Sequence, residues 1–296
     1  MTGTVLCVGA LSLDTIFRLD SLPAGPGKFL PAEAIEVAQG MATAQAATIV
    51  RLGGKARLWA SCGDDPAGDR IVEQLTAAAV DLTVLRRVPG ARSGFSSIFM
   101  DRAGERIIVP FYDAAIRSAP LTLPSFADVA MVSVDVRWPD AAAMALVAAH
   151  DKGIPRLLDL EQAPMDVLQR LAPLASHIIA SEHGIAHFTG VAEPAQAVIA
   201  LAAAHPGFIA ATAGEKGCWW FDRAASKPRH IAARPVKAVD TLAAGDVFHG
   251  AFALRLTEGA ELEDAMRFAS VAAALKCTRF GGRLGAPTRA EVEAVL

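Results

Sequence analysis

The sequence predicts an α/β protein: a mostly parallel sheet covered by helices on both faces, with a smaller β-sheet beside it. Apolar runs of strand length alternate with helix-length amphipathic segments, which is the rhythm of parallel crossover connections. Two stretches, 13–37 and 94–110, break that rhythm and read as strands that leave the main sheet. Of the 296 residues, 53% are hydrophobic and 20% charged, enough apolar material for a sizeable core.

Thr4–Gly9 reads as a buried first strand. Leu13–Val37 has no helical period, and Pro23, Pro26 and Pro31 interrupt it between strand-like pieces. Met41–Leu52 reads as a helix stopped by Gly53-Gly54, and Ala56–Ser61 as a strand. Asp65 stands as an N-cap, with Pro66 at the first helical position and a helix to about Ala79. Gly94–Pro110 reads as a hairpin: Phe95–Met100, a turn through Asp101-Arg102-Ala103-Gly104, then Arg106–Val109. Short strands follow at Val129–Val134, Arg156–Leu160, His177–Ala180 and Phe208–Thr212. Helices near Asp140–Asp151, Met165–Ala172 and Pro194–Ala204 separate them. No repeat or low-complexity linker divides the chain, so one continuous unit over 1–296 is expected, with a discontinuous lid from about 13–38 and 92–112.

The formal net charge is −3 and no block of like charge appears, which argues against nucleic acid as a partner. No uninterrupted apolar run is long enough to span a bilayer, so no membrane partner is expected. The N-terminal residues lack a basic region and meet Asp14 early, reading as a strand and not a signal peptide. Cys7, Cys62, Cys218 and Cys277 are widely separated, with no Cys-x-x-Cys; buried reduced thiols of a cytoplasmic protein are the plain reading.

The most informative segment is Val239-Asp240-Thr241-Leu242-Ala243-Ala244-Gly245-Asp246, which opens an apolar helix. Unpaired backbone N–H groups at a helix start form an anion site, and nothing bulky blocks approach to Ala243, Ala244 and Gly245. Asp246 places a carboxylate beside that anion, and a base next to a phosphate cradle is what phosphoryl transfer to a hydroxyl requires. On spacing alone, an ordinary Asp/Gly-rich helix start explains the pattern equally well. P-loop and Rossmann readings lack their glycine-rich fingerprints. Thr212-Ala213-Gly214-Glu215-Lys216-Gly217 follows a predicted strand, and its two glycines allow close approach to an anion; a simple hairpin turn into Cys218–Phe221 fits as well. Asp14 follows the first strand, where open α/β sheets place ligand groups, and a carboxylate there can accept two hydroxyl bonds; a solvated loop acid is the bland alternative. His183 and His187 are four apart with no third ligand evident, so a helix surface explains them better than a metal site.

The segment 240–246 closely resembles the signature of the ribokinase-like (PfkB) carbohydrate kinases, Asp-Thr-x-Gly/Ala-Ala-Gly-Asp. The resemblance implies a ribokinase-like three-layer αβα sandwich with a small β-sheet lid that often pairs between subunits, hence a homodimer. It implies that Asp246 is the catalytic base and that the amides of Ala243, Ala244, Gly245 and Asp246 form the anion hole. Thr212, Gly214, Gly217 and Gly245 then line ATP, bound as its Mg2+ complex, and Asp14 and Gly40 bind the sugar. Asp240 could help hold a monovalent cation such as K+, although the Thr278–Arg283 segment could equally supply a fixed cation there. Ser181-Glu182-His183-Gly184 stands where many members carry Asn-x-x-Glu; Ser181 is kept as a nucleotide-site residue and Glu182 as a carboxylate reaching Mg2+ through water. Gln39–Ala46 aligns with the substrate loop Gly-Gly-x-Gly-Ala-Asn-x-Ala, with Ala44 in place of Asn, so substrate choice departs from ordinary ribokinases.

A finer resemblance, to the sulfofructose kinase branch, rests on Gly27-Lys28, Gly104-Glu105-Arg106-Ile107-Ile108, Asp135-Val136-Arg137-Trp138, Gly245–Gly250 and Ala274–Arg283. Lys28 and Arg137 could clamp an anionic tail, Arg being suited to bidentate oxyanion contact; solvated surface cations are the alternative. Pro110 stands where that branch would carry an amide side chain. The expected activity is ATP-dependent phosphorylation of a primary hydroxyl of a ketose or anionic ketose such as 6-deoxy-6-sulfofructose. Kinases of a neutral sugar or a nucleoside, and a non-catalytic sugar or nucleotide sensor, are the rivals.

Overall fold

The structure, a computed structural model, describes residues 3–102 and 104–296. Ala103 of the predicted turn, and Met1 and Thr2 of the N-terminal segment, lie outside the described residues.

The chain opens with β1 (Thr4–Val8), β2 (Ser12–Arg18), β3 (Glu33–Gln39) and helix α1 (Met41–Arg51). β4 (Ala56–Trp59), β5 (Ser61–Gly63), α2 (Pro66–Ala77), β6 (Arg86–Val88), β7 (Phe95–Met100) and β8 (Arg106–Phe111) follow. Next come β9 (Val129–Val134), α3 (Pro139–Asp151), β10 (Arg156–Leu160), α4 (Met165–Leu171), β11 (His177–Ser181), α5 (Glu182–Thr189) and α6 (Pro194–Ala204). β12 (Phe208–Thr212), β13 (Cys218–Asp222), β14 (Lys227–Ile231), α7 (Ala244–Thr257), α8 (Leu262–Cys277) and α9 (Arg289–Glu293) complete it.

The main sheet runs β14-β13-β12-β11-β10-β9-β1-β4, parallel from β12 to β4 and antiparallel at β13 and β14. Side chains alternate across it as strand geometry requires. Val5 and Cys7 enter a core with α1, α2, α7 and α8, while Leu6 and Val8 enter another with α3, α4 and α6. That division makes the three layers. Beyond β1 the chain turns to β4 on one side and β9 on the other, so the carboxyl ends of β1 and β9 flank a topological switch point.

The second sheet runs β3-β2-β7-β8 and is the lid. β2 pairs antiparallel with β3 and parallel with β7, and β7 and β8 form the predicted hairpin, with β8 continuing through Pro110 to Phe111. Ile16, Val37, Ile98 and Met100 form its small core together with Leu242, tying the lid to the turn before α7. All six β8 residues are exposed. Asp65 caps α2 as expected, its Oδ1 accepting the Gly68 N–H at 2.9 Å. The short β5–β6 pair was not anticipated.

Candidate active site

α7 starts from a left-handed residue, Ala243, at φ 64° and ψ 11°. An L-residue adopts that conformation at a cost of roughly 1 kcal/mol, so the turn carries local backbone strain. The Ala244 N–H donates to the Thr241 carbonyl at 3.2 Å and the Val247 N–H to the Ala243 carbonyl at 2.9 Å. Among the described residues, the amides of Ala243, Gly245 and Asp246 meet no acceptor. A Cβ on Gly245 would meet nothing within 4 Å. Three unpaired donors thus face open space at the positive end of a 14-residue helix. Ala244 is the exception within the expected anion hole, since its N–H already closes the turn.

Asp246 sits half-buried in the first turn of α7. Burial raises its pKa above the ordinary aspartate value, the charges of Asp159, Asp135 and Glu161 add to the rise, and His249 opposes it. Those three acids stand at the ends of β9 and β10, a feature the sequence reading missed although the carboxyl ends of parallel strands are where ligand groups gather. Asp135 is fully buried and accepts the N–H groups of Ala10 at 2.7 Å, Ala42 at 3.0 Å and Arg137 at 2.7 Å. Gly9 makes room for it: a Cβ there would lie 2.2 Å from the Asp135 carboxylate. Asp159 accepts from Gln45 Nε2 at 2.8 Å, and Gln45 Oε1 accepts from Ser133 at 2.7 Å. The buried His249 places Nδ1 2.7 Å from the Gly245 carbonyl and Nε2 3.1 Å from the Ile179 carbonyl, bracing the turn from below. Burial lowers its pKa, and those carbonyls oppose the fall.

Beside the turn opens a cavity of about 650 Å³, a size that suits a cofactor-scale ligand. Thr212, Gly214, Gly217, Thr241, Ala244 and Gly245 line it, so the structure brings the two glycine-bearing motifs together. The segment after β12 is a hairpin turn, with the Ala213 N–H on the Gly217 carbonyl at 2.8 Å, as the plainer sequence reading has it, and this turn forms one wall of the cavity. Gly217 has φ 90°, and a Cβ there would meet the Ile231 carbonyl at 2.1 Å. Ser181 does not line this cavity. Its hydroxyl caps α5, accepting from Gly184 N–H at 2.9 Å, and donates to Glu161 at 2.9 Å. Gly184 is a packing requirement, since a Cβ would lie 2.2 Å from the Leu160 carbonyl. Glu182 is bound to Lys216 at 2.6 Å, which leaves Glu161 as the carboxylate nearer the acid cluster. Among the described residues no three ligand side chains cluster to hold a metal.

On the lid side, Asp14 is buried on β2 and its Oδ1 has no hydrogen-bond partner. Burial raises its pKa to about 6, with Ser12 and Ser96 opposing. Gly40, at φ 118°, lies against the Ala10 carbonyl, which a Cβ would approach to 2.4 Å, so its bareness serves backbone packing. Arg137 and Arg117 both line a small cleft behind Gly9–Leu11, walled by Tyr112 and Trp138. Arg137 Nη1 donates to the Gln162 carbonyl at 2.9 Å and Arg117 Nε to the Arg137 carbonyl at 3.1 Å. Among the described residues neither guanidinium pairs with a carboxylate. Lys28 is exposed and does not line the cleft. Arg106, on β8, reaches across from the lid to Thr241 Oγ1 at 2.6 Å. Asp240 accepts the Leu242 N–H at 2.7 Å and those of Gly281 and Gly282 at 2.9 Å each, and it faces the Lys276 ammonium at 3.0 Å.

Comparison with known proteins identifies the family and the fold. A family model described as pfkB family carbohydrate kinase matches residues 2–289. Ribokinase of Bacillus subtilis is 30% identical over 297 residues, covering 99% of each chain. A crystal structure of a ribokinase-like protein from Agrobacterium tumefaciens superposes with a TM-score of 0.96 at 45% identity, covering 99% of this chain and 97% of that one. Arabidopsis thaliana ribokinase, solved with ribose and ATP, shares the fold at a TM-score of 0.85 and 24% identity, covering 99% of this chain and 98% of its own. Matched end to end in sequence and in fold, the chain belongs to the pfkB family of carbohydrate kinases and is an ATP-dependent sugar kinase.

Proposed function

We propose that the chain phosphorylates a primary hydroxyl of an anionic ketose of the 6-deoxy-6-sulfofructose type. One observation carries the chemistry: a carboxylate whose pKa is raised and three unpaired amides share a single helix turn between the cavity and the lid. Asp246 takes the hydroxyl proton as the bond to phosphorus forms, and the amides of Ala243, Gly245 and Asp246 stabilise charge on the transferring group. Thr212, Gly214, Gly217 and Gly245 hold the ATP phosphates, and Asp14 orients the sugar through its unpartnered oxygen. Mg2+ bound with the nucleotide would neutralise phosphate charge, and Glu161, held by Ser181 and not tied to a lysine as Glu182 is, would be the carboxylate to hold it through water. Closure of the lid excludes water.

Arg137 and Arg117, which share one cleft and make no direct ion pair with a carboxylate among the described residues, supply the anionic preference, although the Arg137 charge also acts on the buried Asp135 and Asp159. Lys28 would join them only by movement of its exposed loop. A neutral-sugar reading is favoured by the ribokinase names of the relatives. The open edge of β8, with Ile107, Ile108, Val109 and Phe111 all exposed, supports pairing of two lids in a homodimer.

The test is ADP release from Mg-ATP with ribose, fructose, fructose 6-phosphate, sulfofructose, 2-keto-3-deoxygluconate, tagatose 6-phosphate and adenosine. Selective turnover of an anionic ketose supports the proposal. Preference for ribose or fructose would make the arginines bystanders, and turnover of none would point to a sugar outside this panel or to a sensor.

A further inference from the structure

Lys276, near the end of α8, is wholly buried, and so is the Asp240 side chain it meets. Its ammonium lies 3.0 Å from Asp240 Oδ2, 2.7 Å from the Asp240 carbonyl and 3.5 Å from the Arg279 carbonyl. This is an oxygen-only donor set, the kind that suits a hard cation. It lies directly beneath the turn that opens α7. Asp240 Oδ1 accepts from Leu242, and Oδ2 accepts from the consecutive amides of Gly281 and Gly282. Those glycines sit at φ 108° and 57°, which aims both N–H groups at one oxygen. A free carboxylate for a soluble ion is therefore not on offer. Every acceptor that a monovalent ion would seek at Asp240 already faces a donor of the chain.

We propose that the Lys276 ammonium is a built-in replacement for the soluble monovalent cation expected at Asp240, so that the enzyme holds its anion-binding turn without K+. The charge has an appropriate size and place: an ammonium head is comparable to K+ and bridges a carboxylate and two carbonyls. Burial pulls the Lys276 pKa down, while contact with Asp240 opposes the fall. A charge removed here leaves a buried carboxylate uncompensated, and the loss is transmitted through Asp240 to Leu242 and so to the Ala243–Asp246 amides. Lys276 touches no substrate atom in this scheme; it is a positioning residue.

The consequence for turnover rests on the kinase reading, so the experiment also reads ADP binding, which needs no sugar. Wild type, Lys276→Met and Lys276→Ala are compared in choline chloride and in KCl at about 100 mM, following ADP affinity by calorimetry, thermal midpoint, and turnover with any accepted sugar. In wild type, K+ should change each affinity and rate less than about twofold. Lys276→Met, which keeps volume but not charge, should lose about tenfold or more in ADP affinity, with no recovery in K+. Lys276→Ala opens the space, and K+ or ammonium should restore binding and raise its thermal midpoint where choline does not. Tenfold tightening of ADP or activation by K+ in wild type would overturn the inference. So would Lys276→Met binding ADP as wild type does. If Lys276→Ala does not fold, the wild-type titration still decides. If none of the sugars tested is turned over but ADP binds as stated, the proposed substrate assignment fails and this inference stands.

Discussion

Asp14→Asn should make the protein more stable and less active. The carboxyl is buried, one oxygen has no partner, and its pKa rises from 3.8 to about 6. That rise corresponds to about 3 kcal/mol of folding stability given up when the group ionises. The folded-state pKa is the higher one, so the stability is intact below about pH 4 and is lost as the pH rises through about 6. An uncharged isostere avoids the loss. Urea unfolding of the two proteins at several pH values reads the difference directly. The variant should match wild type near pH 4, gain through pH 5 and 6, and stay about 3 kcal/mol ahead above pH 7. Its KM for the sugar should rise by about tenfold or more, since hydrogen bonds to a charged acceptor are worth about 1.5–3 kcal/mol. A difference that does not vary with pH would refute the assignment of the raised pKa to burial. A variant with unchanged stability and unchanged KM would remove Asp14 from the site altogether.

Asp246→Asn should lower kcat by about 10²–10⁴-fold while ADP, measured by calorimetry, still binds. Gly245→Val should leave the thermal midpoint within about 3 °C, because nothing surrounds a Cβ there, yet abolish detectable ATP turnover by filling the space before the amides. Arg137→Ala should raise KM for an anionic ketose by about tenfold and leave a neutral sugar unaffected, checked by initial rates on both. Ile108→Arg should convert a dimer to a monomer in light scattering; a wild type that is already monomeric would dispose of lid pairing.

Much of this molecule is visible in its residue order, and the reasons are local. The parallel strands are short apolar runs flanked by Gly, Asp or Pro, so β9, β10 and β12 have the predicted limits, and α6 spans Pro194–Ala204 as read. The anion turn was legible because its chemistry is contiguous: amides, a bare Gly245 and Asp246 lie within four residues. What escaped is assembled from distant segments. Asp135, Asp159 and Glu161 look like ordinary strand-end acids until the sheet order gathers them around Asp246. Gln45 reads as a polar intrusion in an alanine-rich helix, and only Ser133 and Asp159 on neighbouring strands explain its burial. Lys276 is hidden for the same reason, since a lysine at a helix end normally faces water and complements the dipole. Asp240, 36 positions earlier, turns it inward.

The lid is stitched by a parallel pairing that joins Leu13 to Phe95. The intervening chain holds α1, β4 and α2, so this contact cannot form as a local hairpin does and must wait until the core has drawn its ends together. With its small apolar core, the lid should form late and be the part that loosens first under mild denaturant, which hydrogen exchange at the β2 and β7 amides would read. The four tryptophans are Trp59, Trp138, Trp219 and Trp220, all on the main sheet or at a helix start beside it and none in the lid. Trp59, Trp219 and Trp220 therefore report on the main sheet, with Trp138 beside Tyr112 as the one tryptophan near the lid's end, and a preparation whose tryptophan signal is largely native can already have lost its grip on substrate.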